Sequence, residues 1–328
     1  MKDRRVLMVI LDMLAGHWDK DVIVPFTGLQ PPNVLGYVEA GKLPVFQECI
    51  SNGIFVYCWN KGNCNTAYGQ KYLASGTYKG IEVAPGADPY CRFIKGGEIK
   101  TILTACKERY PSGKVASFGS DAWMQTGWWK APDATYGWGS YFSDFLTTQT
   151  CFKWMMESHD WKMVLLYLAQ YDKTGNCPLF KEGASYTEDK HHSLLYLDKL
   201  LWMIKEFLKE NNWWEETYLF IGSDHGCHYG CNISVEEGRK RGIPDKELIN
   251  YCSNHQEPYD CYLWDFKRNK STDKRLDCTR RTTFIISGGG LEERNKGKVI
   301  PYGEIIDFAP TIAKLMDIEF PAEGKSLV

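Results

Sequence analysis

Several short apolar runs punctuate the chain, among them 6–11 (VLMVIL), 114–119 (KVASFG), 163–169 (MVLLYLA), 217–222 (TYLFIG) and 283–287 (TFIIS). They are near-continuous rather than alternating, as expected for strands covered on both faces, and they read as buried parallel strands. Between them the apolar residues fall at helical spacing, over 101–110, 191–210 and 307–318, with Pro310 placed where the first turn of a helix tolerates it. Strands alternating with helices predict an α/β fold with a doubly wound, mostly parallel central sheet flanked by helices, organised as a single domain over 1–328. Two stretches break the alternation. Residues 121–145 are rich in Trp and Gly, and residues 232–277 are polar, with Pro244, Pro258 and an aromatic patch, YDCYLWDF. Both are expected to be loop insertions capping the carboxyl ends of the strands, where open α/β sheets bind their ligands.

Bulk properties narrow the class. Hydrophobic residues make up 44% of the 328 and charged residues 24%, an ordinary globular composition. The formal net charge is −2 and no long basic run occurs, which argues against nucleic acid as the main partner. No apolar stretch is long enough to span a membrane. The charged amino terminus and the run that follows it resemble a leader only superficially. The run stops at Asp12 without a small-residue cleavage site, so it reads as a strand in a cytoplasmic protein. The 12 cysteines are scattered rather than arranged as a disulfide framework. Cys227 and Cys231 lack a second close pair, so they and His228 read as loop residues rather than a zinc knot.

The strand ends carry the chemistry. Asp12 follows the first run directly, Asp172 closely follows 163–169, and Asp224-His225 follows 217–222. One carboxylate at a strand end is ordinary turn chemistry. Several at carboxyl ends, one beside an imidazole, are also what a divalent ion such as zinc or manganese requires. The spacing alone leaves both readings standing.

Five motifs in order resemble the alkaline phosphatase superfamily, which includes phosphodiesterases and nucleotide pyrophosphatases, sulfatases and phosphopentomutases. They are VILDM around Asp12; NTAYGQKYLASGTY, with Thr66 ten residues before Gly76; DKTGN at 172–176; SDHG at 223–226; and the closing IIDFAPTIAKLMDIEFPAEGKSL. The resemblance implies a metal-dependent phosphohydrolase, most simply a phosphodiesterase. Asp12, Asp224, His225 and the Thr66 oxygen would hold one tight zinc or manganese ion, and Thr66 would be the nucleophile, passing through a phosphothreonine. It implies a second metal site that includes Asp172. There the chain departs from the pattern, because Asn176 stands where His is expected and Cys278 or His255 competes for the third position, so the second ion is expected to be weak. Asn65, Lys173 and Arg280, with Arg281 beside it, are the candidate substrate-binding or charge-supplying residues. CNTAYGQ contains Cys64 but lacks the Pro and Arg of the sulfatase C/S-x-P-x-R motif, which favours phosphate over sulfate. The expected partner is a small phosphate ester, with a nucleotide among the candidates if the Trp-rich 121–145 segment stacks a flat group. Phosphomonoesterase, sulfatase-like and phosphomutase activities of the same superfamily, and a non-catalytic member that binds a phosphorylated ligand, are the alternatives.

Overall fold

The computed structural model describes residues 4–79, 93–94, 97–121, 127–137, 143–174 and 184–328. Its first strand, β1 (Arg5–Leu11), is buried at every position. Val6, Met8 and Ile10 enter one apolar core, while Leu7, Val9 and Leu11 enter another on the opposite face. A strand with a core on each side has no solvent face, which explains its uninterrupted apolar sequence.

Eight further strands complete the sheet: β2 (Ile54–Trp59), β3 (Lys114–Gly119), β4 (Ala134–Gly137), β5 (Trp161–Leu168), β6 (Thr217–Gly222), β7 (Arg281–Thr282), β8 (Phe284–Ser287) and β9 (Lys298–Glu304). Their order is β7-β2-β8-β6-β1-β5-β3-β4, with β9 beside β2. The block from β6 to β4 is parallel. Helices Thr66–Ser75, Ile102–Arg109 and Phe308–Leu315 cover one face, and Pro44–Ser51, Asp144–Glu157 and Thr187–Glu210 cover the other. This is the doubly wound α/β arrangement that the alternating pattern predicts.

One strand departs from the expectation. β8 is buried, as the run 283–287 predicts, but runs antiparallel to both β6 and β2. After β6 the chain makes its excursion beyond the strand's carboxyl end and returns there, with Ser223 N donating to Thr283 O at 3.1 Å. Re-entering a sheet from that end forces the next strand to run backwards.

The segment 232–277 contains helix Asn232–Lys240 and an antiparallel hairpin of Tyr262–Asp265 with Lys270–Arg275. In the other segment Trp128 and Trp129 are buried in the core, so neither offers a face to a flat ligand. Residues 122–126 and 138–142 of that segment, including Trp123 and Trp138, lie outside the described residues. No helix among the described residues is long and apolar enough to cross a membrane.

Candidate active site

Register brings the strand ends together. Ile10 of β1 lies opposite Tyr167 of β5 on one side and Gly222 of β6 on the other, so three adjacent parallel strands end nearly flush. Asp12, Asp224 and His225 therefore emerge side by side, fully buried, with one ligand atom from each within 4.8 Å of the others.

Each side chain is held by a hydrogen bond. Asp224 Oδ1 accepts from the backbone N–H groups of Met13 at 3.1 Å and His225 at 2.9 Å, and its Oδ2 accepts from Gln70 Nε2 at 3.0 Å. Met13 adopts φ of 64°, a left-handed turn unusual for a residue with a side chain, which ends β1 and aims its N–H at Asp224. Tyr167 donates its hydroxyl to Asp12 Oδ2. Asp12 Oδ1 is buried without a hydrogen-bond partner, a state that a carboxylate oxygen facing a cation relieves. The His225 Nδ1–H donates to Gly226 O at 3.0 Å, which leaves the Nε2 lone pair directed at Asp12 and Asp224, 3.5 Å from each. Burial holds the imidazole neutral, with its pKa lowered to about 4. Burial and then the charges of Asp224 and Asp172 push Asp12 well above the usual carboxylate range, and burial raises Asp224 to about 6. A divalent ion would reverse both shifts. Two carboxylates, one of them with an unpartnered oxygen, and a neutral imidazole nitrogen form a donor set that fits such an ion.

Thr66 opens the helix Thr66–Ser75, whose amino end is capped by the Asn65 side chain accepting from Tyr68 N. The helix can approach because residue 69 is glycine. A Cβ there would lie 2.5 Å from Asp224 O and 2.6 Å from Asp224 Cβ. This close contact sets Thr66 Oγ1 3.1 Å from His225 Nε2.

A second group adjoins the first. Lys173 Nζ lies 3.5 Å from Asp172 Oδ2 and 3.5 Å from Asp121 Oδ2. Burial works against ionisation of Asp172, but the charges of Lys173, His255 and Lys190 outweigh it and hold the carboxyl below its ordinary range. The His255 ring lies 4.0 Å from that of His225, and burial, with the neighbouring His225, lowers its pKa to about 3. Asp172 Oδ1 and His255 Nδ1 are both buried and unpartnered. Asp121 was not singled out from sequence, yet the signal was there, since Ser120-Asp121 follows β3 as Ser223-Asp224 follows β6.

The structure corrects other expectations. Cys278 belongs to a different group of donors. It lies with His228, Cys231 and Cys261, with one donor atom from each of the four within 4.8 Å of the rest. His228 and Cys231 therefore belong to a four-residue cluster, and are not simply loop residues. Arg280 is committed to the chain itself, donating to Asn60 O at 3.2 Å and Gly62 O at 3.1 Å. Arg281 is buried, bonding Leu276 O and Asp19. Asn176 lies outside the described residues.

The comparisons place this geometry in a family. A family model described as sulfatase matches residues 152–318, half of the chain. The chain belongs to the sulfatase family. That family lies within the alkaline phosphatase superfamily of divalent-metal hydrolases acting on phosphoryl and sulfuryl esters, and the solved structures similar to the chain come from several of its branches. A wild-type alkaline phosphatase, PafA, superposes with a TM-score of 0.64 at 12% identity, over 100% of this chain and 98% of that one. Murine ectonucleotide pyrophosphatase/phosphodiesterase 5, as an inactive variant in complex with AMP, gives 0.59 at 15% identity over 98% and 97%. The phosphonate monoester hydrolase of Silicibacter pomeroyi gives 0.58 at 13% over 99% and 76%. No curated protein matches the chain in sequence. At such identities the likeness establishes the fold and leaves the choice of ester open.

Proposed function

We propose that this sulfatase-family chain is a metal-dependent phosphoric ester hydrolase that favours phosphodiesters and uses Thr66 as its nucleophile. The observation that carries the reading is the placement of Thr66 Oγ1 at a helix amino terminus, 3.1 Å from His225 Nε2, beside the unpartnered Asp12 Oδ1. Asp12, Asp224, His225 and the Thr66 oxygen would hold one divalent ion, zinc or manganese. When bound, the ion supplies positive charge that lowers the pKa of the Thr66 hydroxyl and neutralises the attacked group. Thr66 Oγ1, its proton released to solvent, forms the bond to phosphorus as the bond to the leaving oxygen breaks. Water then hydrolyses the phosphothreonine. The positive amino end of the Thr66–Ser75 helix and the Asn65 amide would favour the phosphoryl oxygens.

The diester preference rests on the second group. With Cys278 engaged elsewhere, the second group is left, among the described residues, with Asp172, His255 and the lysine-paired Asp121, a set that would hold a second ion only weakly. Lys173 supplies a fixed cation against Asp172 instead. One ion and one lysine neutralise a monoanionic diester better than a dianionic monoester. Residues 64–70 lack the Pro and Arg of the sulfatase nucleophile motif, which argues against sulfate esters despite the family's name. The buried free thiols suit the reducing cytoplasm.

Matched aryl phosphodiester, phosphomonoester and sulfate substrates, tested on wild type and Thr66→Ala with zinc, manganese and magnesium, check the reading. We expect kcat/KM to rank diester over monoester with negligible sulfate turnover, and Thr66→Ala to lose at least ~10³-fold while keeping its fold and its ion. Thr66→Ala activity within about tenfold of wild type would remove Thr66 as nucleophile. No turnover of any ester would favour a ligand-binding member of the family.

A further inference from the structure

The cysteine and histidine cluster described above plays no part in the proposed reaction. Its residues come from three places: His228 and Cys231 from the turn after β6, Cys261 from the start of the hairpin, and Cys278 from the single turn that follows it. All four are fully buried. His228 Nδ1 lies 3.7 Å from Cys231 Sγ, and Cys261 Sγ lies 3.3 Å from Cys278 Sγ. In a tetrahedron with bonds of ~2.3 Å to sulfur and ~2.0 Å to nitrogen, neighbouring ligand atoms are about 3.5–3.8 Å apart. The 3.7 Å separation falls within that spacing, and the 3.3 Å between the two sulfurs is a little shorter than it but far longer than the ~2.05 Å of a disulfide.

We infer that His228, Cys231, Cys261 and Cys278 form a structural zinc site distinct from the candidate active site. The surroundings are arranged for it. His228 Nε2 lies 2.9 Å from Gln256 O, so its N–H donates there and the Nδ1 lone pair points into the cluster, the outer hydrogen bond that metal-bound histidines make. Cys231 is the amino-terminal cap of helix Asn232–Lys240, with its sulfur 3.8 Å from the Ser234 hydroxyl, a position at a helix amino terminus that favours a thiolate. Three thiolates and one imidazole close a tetrahedron with no open position, the form of a structural rather than a catalytic zinc site.

The ion would tie both ends of the hairpin to the turn that follows His225. The Cys278 turn already packs there: Gly226 N donates to Thr279 O at 2.8 Å, and a Cβ on Gly226 would meet Cys278 O at 2.6 Å. The loop that carries His255 is held to the same turn, since Ser253 N donates to His228 O at 2.9 Å. Zinc at this position would therefore buttress the wall bearing His225 and His255 from behind.

The Asp12→Asn/Asp224→Asn variant of the 1–328 chain removes both candidate active-site carboxylates and makes the test independent of any reaction. Prepared under reducing, anaerobic conditions with zinc supplied, it is expected to retain about one zinc per chain. Its zinc-edge X-ray absorption should fit three sulfurs at ~2.3 Å and one nitrogen at ~2.0 Å. Cobalt exchange should give strong thiolate-to-metal absorption, and adding Cys261→Ser should weaken or abolish it. No retained metal, zinc bound through nitrogen and oxygen alone, or a Cys261–Cys278 disulfide in the peptide map would each overturn the inference.

Discussion

Asp144 is fully buried in the first turn of helix Asp144–Glu157, where both its oxygens lie 3.3 Å from Gln170 N. Burial pushes its carboxyl up to about 7, against partial relief from Ser120 and the backbone N–H groups of Gln170 and Ala169. The folded value is thus above the ordinary 3.8, so the stability contributed by the protonated form is complete below that pH and is lost as pH rises through about 7. Asp144→Asn keeps the shape without the charge. We expect its melting temperature relative to wild type to rise by several degrees between pH 5 and pH 8, about 1 kcal/mol being worth a few degrees in a chain of this size. Parallel melting profiles for the two proteins would remove this account of Asp144. The residue is a reminder of what sequence conceals: nothing in SYFSDFLTT separates a buried acid from an exposed helix start. Asp12, Asp172, Asp224 and His225 were legible because each directly or closely follows an apolar run. Cys261 and Cys278 were not legible as partners of His228 and Cys231, because chain folding rather than local spacing brings them together.

At the scale of elements, helix Thr66–Ser75 acts as one rigid part whose position depends on Gly69. Intrinsic propensity would favour alanine there by ~1 kcal/mol. The added Cβ would instead meet the backbone of Asp224 at 2.5 Å, a contact that no rotamer change relieves. Overpacking of this kind costs about 1–3 kcal/mol and so wins over propensity. Gly69→Ala is expected to lower the melting temperature and to displace Thr66 from the strand ends. A misplacement of that order costs roughly 10²-fold in rate, measurable as kcat/KM on the aryl phosphodiester. Unchanged activity and stability would show that the helix has slack the structure does not reveal. Strands and helices were mostly legible, because 3.6- and near-continuous apolar patterns report burial. Strand direction was not. The run ending at Ser287 reads like its parallel neighbours, and only the path of the preceding excursion decides that β8 runs backwards. β2 was missed although its run IFVYCW is apolar and largely buried, and β4 and β9 escaped because much of their surface is exposed and no long apolar run marks them.

For the molecule as a whole, the first strand occupies the middle of the sheet, and this bears on how the chain is made. β1 pairs with Met163–Leu168 on one side and Thr217–Gly222 on the other, so its partners are synthesised long after it. Until they leave the ribosome, VLMVIL is a nascent segment of high aggregation tendency with no sheet to join, and closing such distant pairs is intrinsically slow. Translation therefore commits about two thirds of the chain before the centre of the fold can assemble. A fragment covering 1–150 should pellet when expressed alone, whereas one covering 1–328 should remain in the supernatant, a comparison that simple fractionation makes. A soluble, folded 1–150 fragment would mean that the amino-terminal part assembles without its later partners. The same geometry makes the synthesis rate through 163–222 a control point: rare codons there would prolong the exposure of β1, and faster passage would shorten it.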